Sequence, residues 1–335
     1  MSRGLRRLIP VFGFVALAAA AFGGRTSDAG PKRQFDFSYE AKVPQFPAEA
    51  KSVRLWIPLP RTDKFQSVSE LKITSSAPYA RRTDSEYGND YLYVEVPASS
   101  GAKPVAVKVE FRVDRREHSV RLDGDAIGKA EKSNDPTPMS RYLEPDHLVP
   151  TDGVIAQLSA EQTKGLTTPI EKARAIYNYV VSTMKYDKSG EGWGRGDAIW
   201  ACAAKRGNCT DFHSLLIGMM RHAGIPARFE IGFPLPENQH EGNIPGYHCW
   251  AEFYVEPYGW IPVDASEASK HPEKRDYFFG AHDTNRVLFT FGRDIRLSPA
   301  QHGDPLNYFI YPYAEVDGTP FTKLEEKFSF RDASN

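Results

Sequence analysis

Several features that would assign this chain to a familiar functional class are absent from its sequence. Neither a GxxxxGK(S/T) phosphate loop nor a GxGxxG dinucleotide fingerprint is present. No CxxC or HExxH pair occurs, and the three cysteines leave an odd one after any single disulfide. The formal net charge is −1, and the region after the N-terminal segment has no lysine and arginine run that would grip phosphate. Nucleotides, nucleic acids and anionic membranes are therefore not indicated as partners.

One long hydrophobic run is present, and it lies at the N-terminus. Three arginines precede it, it extends over Leu8–Phe22, and small residues at 18–21 offer cleavage positions. A membrane-spanning helix needs about 20 apolar residues, and this run is shorter. The pattern predicts a secretory signal removed between residues 19 and 31, with a retained anchor as the alternative. Residues 1–32 are assigned to this signal and a disordered mature N-terminus, and the protein is expected to be periplasmic or extracellular.

Short segments of alternating polar and apolar residues follow, separated by Pro, Gly, Asn and Ser. This alternation is typical of strands with one buried face. The predicted strands are residues 35–41, 52–57, 71–73, 91–96 and 105–111. They favour an antiparallel β-sandwich domain over residues 33–120, in which no catalytic constellation is visible. Prolines after residue 134 then predict a connector, assigned to 121–164.

A catalytic domain is assigned to residues 165–325. Thr168 and Glu171 have capping-box spacing around Pro169, which predicts a helix over 169–184. Asp197 is expected to cap a shorter helix. The glycine-rich loop between these helices is expected to be mobile, either bordering a substrate channel or lying on the surface. Further strands, expected to complete the domain's sheet, are predicted at residues 278–279, 287–291 and 308–316. The aromatic residues at 308–313 are expected either to pack in the core or to form the wall of a binding site.

Cys209 is the first candidate for a chemical role. Residues 211–223 carry apolar side chains at helical spacing, and Gly224 and Pro226 end that pattern. Cys209 is therefore expected at or beside a helix N-terminus, where the helix dipole stabilises a thiolate, the nucleophilic form of cysteine. Gly207 allows a tight turn and close substrate approach. Taken alone, such a cysteine is more often a small buried residue.

His248 and Asp264 supply the two other groups that a thiol acyl-transfer enzyme needs. His248 precedes an alternating segment, residues 249–255, and a turn signal then leads to a returning strand, residues 260–263, that ends at Asp264. Adjacent antiparallel strands can bring the two side chains together, so that the carboxylate fixes the imidazole tautomer and stabilises the imidazolium. Each residue alone has an ordinary structural explanation, as a core histidine and as a helix or turn cap.

Three separated motifs resemble the core of the transglutaminase-like superfamily. They are Gly207-x-Cys209 with its helix ending Gly224-Ile225-Pro226, then His248-x-Trp250, then Gly259-Trp260-x-Pro262-Val263-Asp264. The resemblance covers about residues 165–270. It implies an α+β fold with a papain-like, transglutaminase-like catalytic core, and it gives the catalytic roles to Cys209, His248 and Asp264. Cys249 departs from the pattern, and this second thiol either modulates the first or simply packs.

The resemblance does not determine the reaction, because the superfamily includes cross-linking enzymes, peptidases, amide hydrolases and inactive relatives. The expected function is an exported cysteine-dependent acyl-transfer enzyme that acts on peptide or isopeptide amides. Hydrolysis is favoured, since no amine-binding site is visible. The alternatives are a protein-glutamine γ-glutamyltransferase, which cross-links proteins, and a non-catalytic binding or scaffold protein that retains the fold. A protein or peptide substrate is the expected partner.

Other uses of the cysteines are less favoured. Zinc ligands could come from Cys202, Cys209, His213, His248 and Cys249, but their spacing matches no zinc motif. A Cys202–Cys249 disulfide would leave Cys209 as the free thiol, which is compatible with catalysis. Neither a metal nor an organic cofactor is therefore expected.

Overall fold

The N-terminal part of the chain consists almost entirely of strands, as its alternating pattern predicts. The computed structural model describes residues 30–44, 46–47, 49–97, 103–122 and 137–333, so the predicted signal segment lies outside the described residues. The strands of this part are β1 (Lys32–Val43), β2 (Ser52–Pro58), β3 (Gln66–Ser75), β4 (Tyr79–Thr83), β5 (Asp90–Pro97), β6 (Val105–Arg116) and β7 (His118–Ser119). In β1 and β6 every second side chain is buried. β1 starts earlier than its sequence pattern indicated, because Lys32 and Arg33 already pair with β6.

The rest of the chain alternates helices with short strands. These elements are α1 (Gly153–Gln162), α2 (Pro169–Thr183), β8 (Lys185–Tyr186), α3 (Ala198–Ala204), β9 (Arg206–Gly207), α4 (Cys209–His222), β10 (Ala227–Pro234), β11 (Glu241–Ile244), β12 (His248–Val255), β13 (Gly259–Val263), α5 (Ala265–Lys270), β14 (Ala281–His282), β15 (Arg286–Phe291), β16 (Tyr313–Val316), β17 (Thr319–Phe321) and β18 (Glu325–Asp332). The capping box at Thr168 and Glu171 starts α2, and Asp197 caps α3. In the described ranges, no helix is long and apolar enough to cross a bilayer.

Two five-stranded antiparallel sheets combine strands from both ends of the chain. Their strand orders are β11-β18-β1-β6-β3 and β17-β16-β2-β5-β4. In the first, Phe330 lies opposite Phe37, and in the second, Ala314 lies opposite Leu55. Phe37 and Leu55 belong to one core shared by the two sheets, whereas Trp56, Tyr91 and Tyr93 of the second sheet belong to another cluster. The division into domains at 33–120, 121–164 and 165–325 stays a prediction. The structure shows that strands near the C-terminus, β16 to β18, belong to the two sheets that the N-terminal strands form.

A four-stranded antiparallel sheet, in the order β13-β12-β10-β15, carries His248 on β12 and supports α4, which carries Cys209. Helix α4 is buried from Cys209 to Arg221 and packs against β10 and β12. On the same strand β10, Phe233 contacts Phe37 of β1, with ring centroids 5.5 Å apart. Helices and mostly antiparallel sheets therefore form one mixed architecture, and the predicted α+β class is confirmed.

Three elements differ from the sequence interpretation. Of the three late predicted strands, the one at 287–291 corresponds to β15, which joins the four-stranded sheet as expected. At 278–279, Phe279 forms only an isolated bridge with Val263. At 308–316, the strand β16 begins only at Tyr313 and pairs with β2. Apolar residues can be buried in a loop as well as in a strand, so their pattern did not distinguish the two. Helix α1 occupies the predicted connector, and it buries only Ile155 and Ser159, which gives a weak periodic signal.

Candidate active site

Cys209 is the first residue of α4, the position that its sequence context predicts. Asn208 caps the helix by accepting a hydrogen bond from the Thr210 N–H at 3.0 Å, and Asp211 completes a capping box. Gly207 has a φ of +149°, and a Cβ there would lie 2.3 Å from the Asp211 carboxylate. The turn before Cys209 therefore requires glycine. The thiol lies where the helix dipole favours a negative charge.

Asp211 joins the glycine-rich loop to the start of α4. One carboxylate oxygen accepts hydrogen bonds from the N–H groups of Asn208 at 2.9 Å and Gly194 at 2.7 Å, and the other accepts from Gly196 at 3.0 Å. A loop expected to be mobile is thus tied directly beside Cys209. Asp211 is not among the predicted site residues, although the Asn208-x-x-Asp211 spacing is a capping-box signal that could have identified it.

His248 and Asp264 meet as the hairpin predicts. His248 is the first residue of β12, Asp264 follows β13, and His248 Nε2 lies 2.8 Å from Asp264 Oδ2. The same carboxylate caps α5, because its Oδ1 accepts a hydrogen bond from the Glu267 N–H at 3.0 Å. Arg286 Nη1 donates to Oδ2 at 3.2 Å. Asp264 therefore contacts His248 through one oxygen and caps α5 through the other, and its role in orienting the imidazole stays a prediction.

The Cys209 and His248 side chains influence each other's ionisation, and the pKa shift of each group favours its charged form. Burial would raise the pKa of Cys209, but hydrogen bonds with Cys249 and His248 and the His248 charge lower this pKa well below its usual value. Burial would lower the pKa of His248, but Asp264 and Cys209 raise it to about 10. Asp264 likewise stays ionised, since His248 outweighs the effect of burial and keeps its pKa low. The three groups favour a thiolate, an imidazolium and a carboxylate.

His213 supports this arrangement without taking part in it. Its Nδ1 donates to the Cys209 carbonyl at 2.8 Å, and its Nε2 accepts from the Ala265 N–H at 3.2 Å. These partners assign the neutral tautomer, and burial lowers the pKa of His213 in agreement. Both ring nitrogens are occupied, so His213 is a structural link between the starts of α4 and α5 and not a metal ligand.

All three cysteines are free thiols. Cys249 does not bridge to Cys202, and its Sγ lies 3.7 Å from His213 Nδ1. Burial raises the pKa of Cys249 well above its usual value, and the neighbouring Cys209 charge adds to that effect. Cys249 therefore stays a neutral thiol beside Cys209, and it contributes to the lowered pKa of Cys209. That the second thiol modulates the first stays a prediction.

Aromatic side chains surround the cysteine. Asn208 Nδ2 donates to the Tyr247 hydroxyl at 3.0 Å, and the Tyr247 ring lies 5.4 Å from that of Tyr308. The Tyr308 hydroxyl donates to the Gly194 carbonyl at 3.3 Å. In the run 308–313, Phe309 is core, whereas Tyr308 is only partly buried. The run therefore contributes both to packing and to the surroundings of Cys209.

Comparison with known proteins identifies the core. Residues 156–265 match the family model of the transglutaminase-like superfamily, so the resemblance predicted from the three motifs is confirmed over this range. An uncharacterized protein from Haemophilus influenzae is 28% identical over 327 aligned residues, which cover 88% of each chain. YebA, an uncharacterized protein from Bacillus subtilis, is 25% identical over 192 residues, covering 52% of this chain and 26% of YebA.

One solved structure shares the fold over most of its length. A candidate cysteine protease from Cytophaga hutchinsonii superposes with a TM-score of 0.58, covering 91% of this chain and 94% of that chain at 15% identity. Because the alignment covers 91% of this chain, the similarity in fold extends beyond residues 156–265.

Proposed function

Because residues 156–265 carry the core of the transglutaminase-like superfamily, we propose that this chain is an exported cysteine-dependent acyl-transfer enzyme. It acts on peptide or isopeptide amides, with Cys209 as nucleophile, His248 as acid and base, and Asp264 as the group that orients His248. Hydrolysis is the proposed outcome. The observation that carries this proposal is the 2.8 Å contact between His248 and Asp264, and the mutual pKa shifts of Cys209 and His248 support it.

The first half of the reaction uses the charged pair. The Cys209 thiolate attacks the amide carbonyl carbon, forming a carbon–sulfur bond. The His248 imidazolium then donates its proton to the amide nitrogen as the carbon–nitrogen bond breaks, which leaves a thioester and a neutral amine. The Cys209 backbone N–H, in the first turn of α4, is one candidate donor to the developing oxyanion.

The second half restores the pair. Water attacks the thioester, and the neutral His248 accepts its proton as the carbon–sulfur bond breaks. The products are a carboxylic acid and the Cys209 thiolate beside a protonated His248. Asp264 keeps Nε2 occupied throughout, so Nδ1 is the ring nitrogen available to the cysteine.

Labelling with iodoacetamide followed by peptide mapping tests the nucleophile. We expect Cys209 to react at neutral pH at least about 10-fold faster than Cys202 or Cys249, because only its pKa is lowered. Cys202 is the most exposed of the three, so access alone would give the opposite order. Faster labelling of Cys202 would contradict the assignment.

Export is proposed from the N-terminal arginines and the hydrophobic run that follows them. The envelope fraction should contain a mature chain that begins between residues 19 and 31, since the run has the form of a cleavable signal. N-terminal mass spectrometry checks this expectation. An intact Met1 in that fraction would indicate a retained anchor, and a cytoplasmic protein would contradict export.

A further inference from the structure

A second cluster of potential ligand groups lies apart from the cysteine site. The short strands β7 and β14 pair so that His118 lies directly opposite His282, and Glu252 projects from the middle of β12. One ligand atom from each of the three side chains lies within 4.8 Å of the others. Exposed fractions are 5% for His118, 3% for Glu252 and 0% for His282. The cluster is therefore assembled from three separate chain segments in the interior.

His282 is the least satisfied member of this cluster. His118 Nδ1 lies 2.9 Å from Glu252 Oε1, but neither ring nitrogen of His282 has a hydrogen-bond partner. Leaving a buried polar group unpaired costs free energy, and native structures rarely do so without a bound ion or water. An imidazole with both nitrogens free, next to a histidine–carboxylate pair, indicates a missing partner.

Charged side chains of both signs surround the cluster. Glu230 and Glu252 both contact one arginine, Arg228, at 3.0 and 2.6 Å. The Glu252 carboxylate therefore lies between Arg228 and His118. The guanidinium groups that face the cluster are Arg115, Arg228 and Arg286.

We propose that His118, Glu252 and His282 bind one divalent transition-metal ion, with Zn²⁺ the best match. Two imidazole nitrogens and one carboxylate oxygen are a ligand set that zinc accepts. Around a tetrahedral ion with bonds of about 2.0–2.1 Å, ligand atoms lie about 3.3 Å apart. His282 must therefore rotate inward, which breaks no hydrogen bond. Arg228 would continue to hold the other Glu252 oxygen, as partners of ligating carboxylates commonly do.

The ion would join β7 and β14 to the strand that presents His248. His248, Trp250 and Glu252 occupy alternate positions of β12 and so share one face. Trp250 bridges the two sites, since its ring centroid lies 5.8 Å from that of His248 and 5.9 Å from that of His282. The proposed role is structural, because the cluster is buried and lies outside the cysteine site. It stabilises the strand that positions the base.

The test measures metal retained after refolding. The full chain carrying Cys209→Ala, which removes the reactive thiolate as a competing ligand, is unfolded with a chelator and refolded with Zn²⁺. After gel filtration we expect roughly one zinc per chain. Refolding with Co²⁺ should give the visible absorption of a tetrahedral site without a thiolate charge-transfer band. His282→Gln should lose most of the metal, whereas His222→Gln, an exposed histidine on α4, should retain it.

Three results would overturn the proposal. The first is that the refolded parent, the Cys209→Ala chain, retains no zinc. The second is that His282→Gln retains as much zinc as His222→Gln. The third is a cobalt spectrum with a thiolate band, which would place the ion at Cys202 or Cys249. Circular dichroism checks whether His282→Gln is folded. We expect this variant to fold, because the His282 ring makes no hydrogen bond that the substitution would remove. If this variant does not fold, the zinc content and cobalt spectrum of the parent decide the question.

Discussion

At pH 6, His248→Ala is expected to slow alkylation of Cys209 by at least about 100-fold relative to the native chain. In the native site the imidazolium keeps the cysteine ionised, because the pKa of His248 is raised to about 10 and the pKa of Cys209 is lowered. Without that charge, an ordinary thiol with a pKa of about 8.5 would be only about 0.3% thiolate at this pH, and burial would reduce the fraction further. Alkylation rates measured from pH 4 to 11 give the pH profiles of the native chain and of His248→Ala.

The signs of the two pKa shifts define the pH window of activity. As the pH falls through the lowered pKa of Cys209, the thiolate is protonated, so both labelling and turnover are lost. As the pH rises through about 10, His248 loses its proton. Labelling should then persist, because the thiolate remains, while turnover falls for lack of an acid to protonate the leaving amine. Divergence of labelling and turnover at alkaline pH is therefore a specific signature of the pair.

His222→Ala is the matched control for this experiment. It removes a histidine from the other end of the same helix, where the ring contacts the Thr151 carbonyl. Its labelling profile should be that of the native chain. A His248→Ala profile that also coincides with the native one would separate His248 from the cysteine and would contradict the proposed mechanism.

Asp264→Asn should lower turnover by about 10–10³-fold, while the chain stays folded. The corresponding change in a serine triad costs about 10⁴, and a pair that is already charged before reaction should lose less. Asparagine can keep the cap by directing its oxygen toward the Glu267 N–H. Its NH₂ group would then face His248 Nε2 and Arg286, a donor against a donor, which favours the wrong imidazole tautomer.

Asp283→Asn provides the comparison for this variant. Asp283 contacts Arg286 at 3.2 Å, and no contact between Asp283 and His248 is described, so the change removes a carboxylate from the same arginine but leaves the His248–Asp264 hydrogen bond intact. Turnover should stay within about threefold of native, because the catalytic contacts remain. A first screen with casein or a peptide library supplies the substrate for both assays. Full activity of Asp264→Asn would reduce Asp264 to a helix cap.

The sequence was sufficient to place the three candidate residues at the ends of their elements. Capping residues, helix stops and hairpin turns act over three to five neighbouring positions, so they are visible without knowledge of the fold. Asn208 and Gly224 limit α4, and the turn before Gly259 aligns β12 with β13. The meeting of His248 and Asp264 follows from this local geometry, and the 2.8 Å contact agrees with it.

The partners of the buried charges depended on the tertiary structure. Arg286 reaches Asp264 from a strand that pairs with β10, and no local signal relates the two positions. Cys249 contributes to the lowered pKa of Cys209 because the fold buries the two thiols next to each other. A pKa depends on which charges and hydrogen bonds surround a group, and those come from distant segments.

Strand pairing across the whole chain was also beyond the sequence pattern. Alternation in β1 shows which side chains face inward, but it does not say which strands lie beside it. One of its two partners proved to be β18, with Phe330 opposite Phe37. The pairing of His118 with His282 has the same origin. Local sequence thus determined the elements and the positions of Cys209, His248 and Asp264, because capping and turns involve adjacent residues. Only the tertiary structure decided the sheet order, the buried ion pairs and the second cluster, because these depend on contacts between residues far apart in the chain.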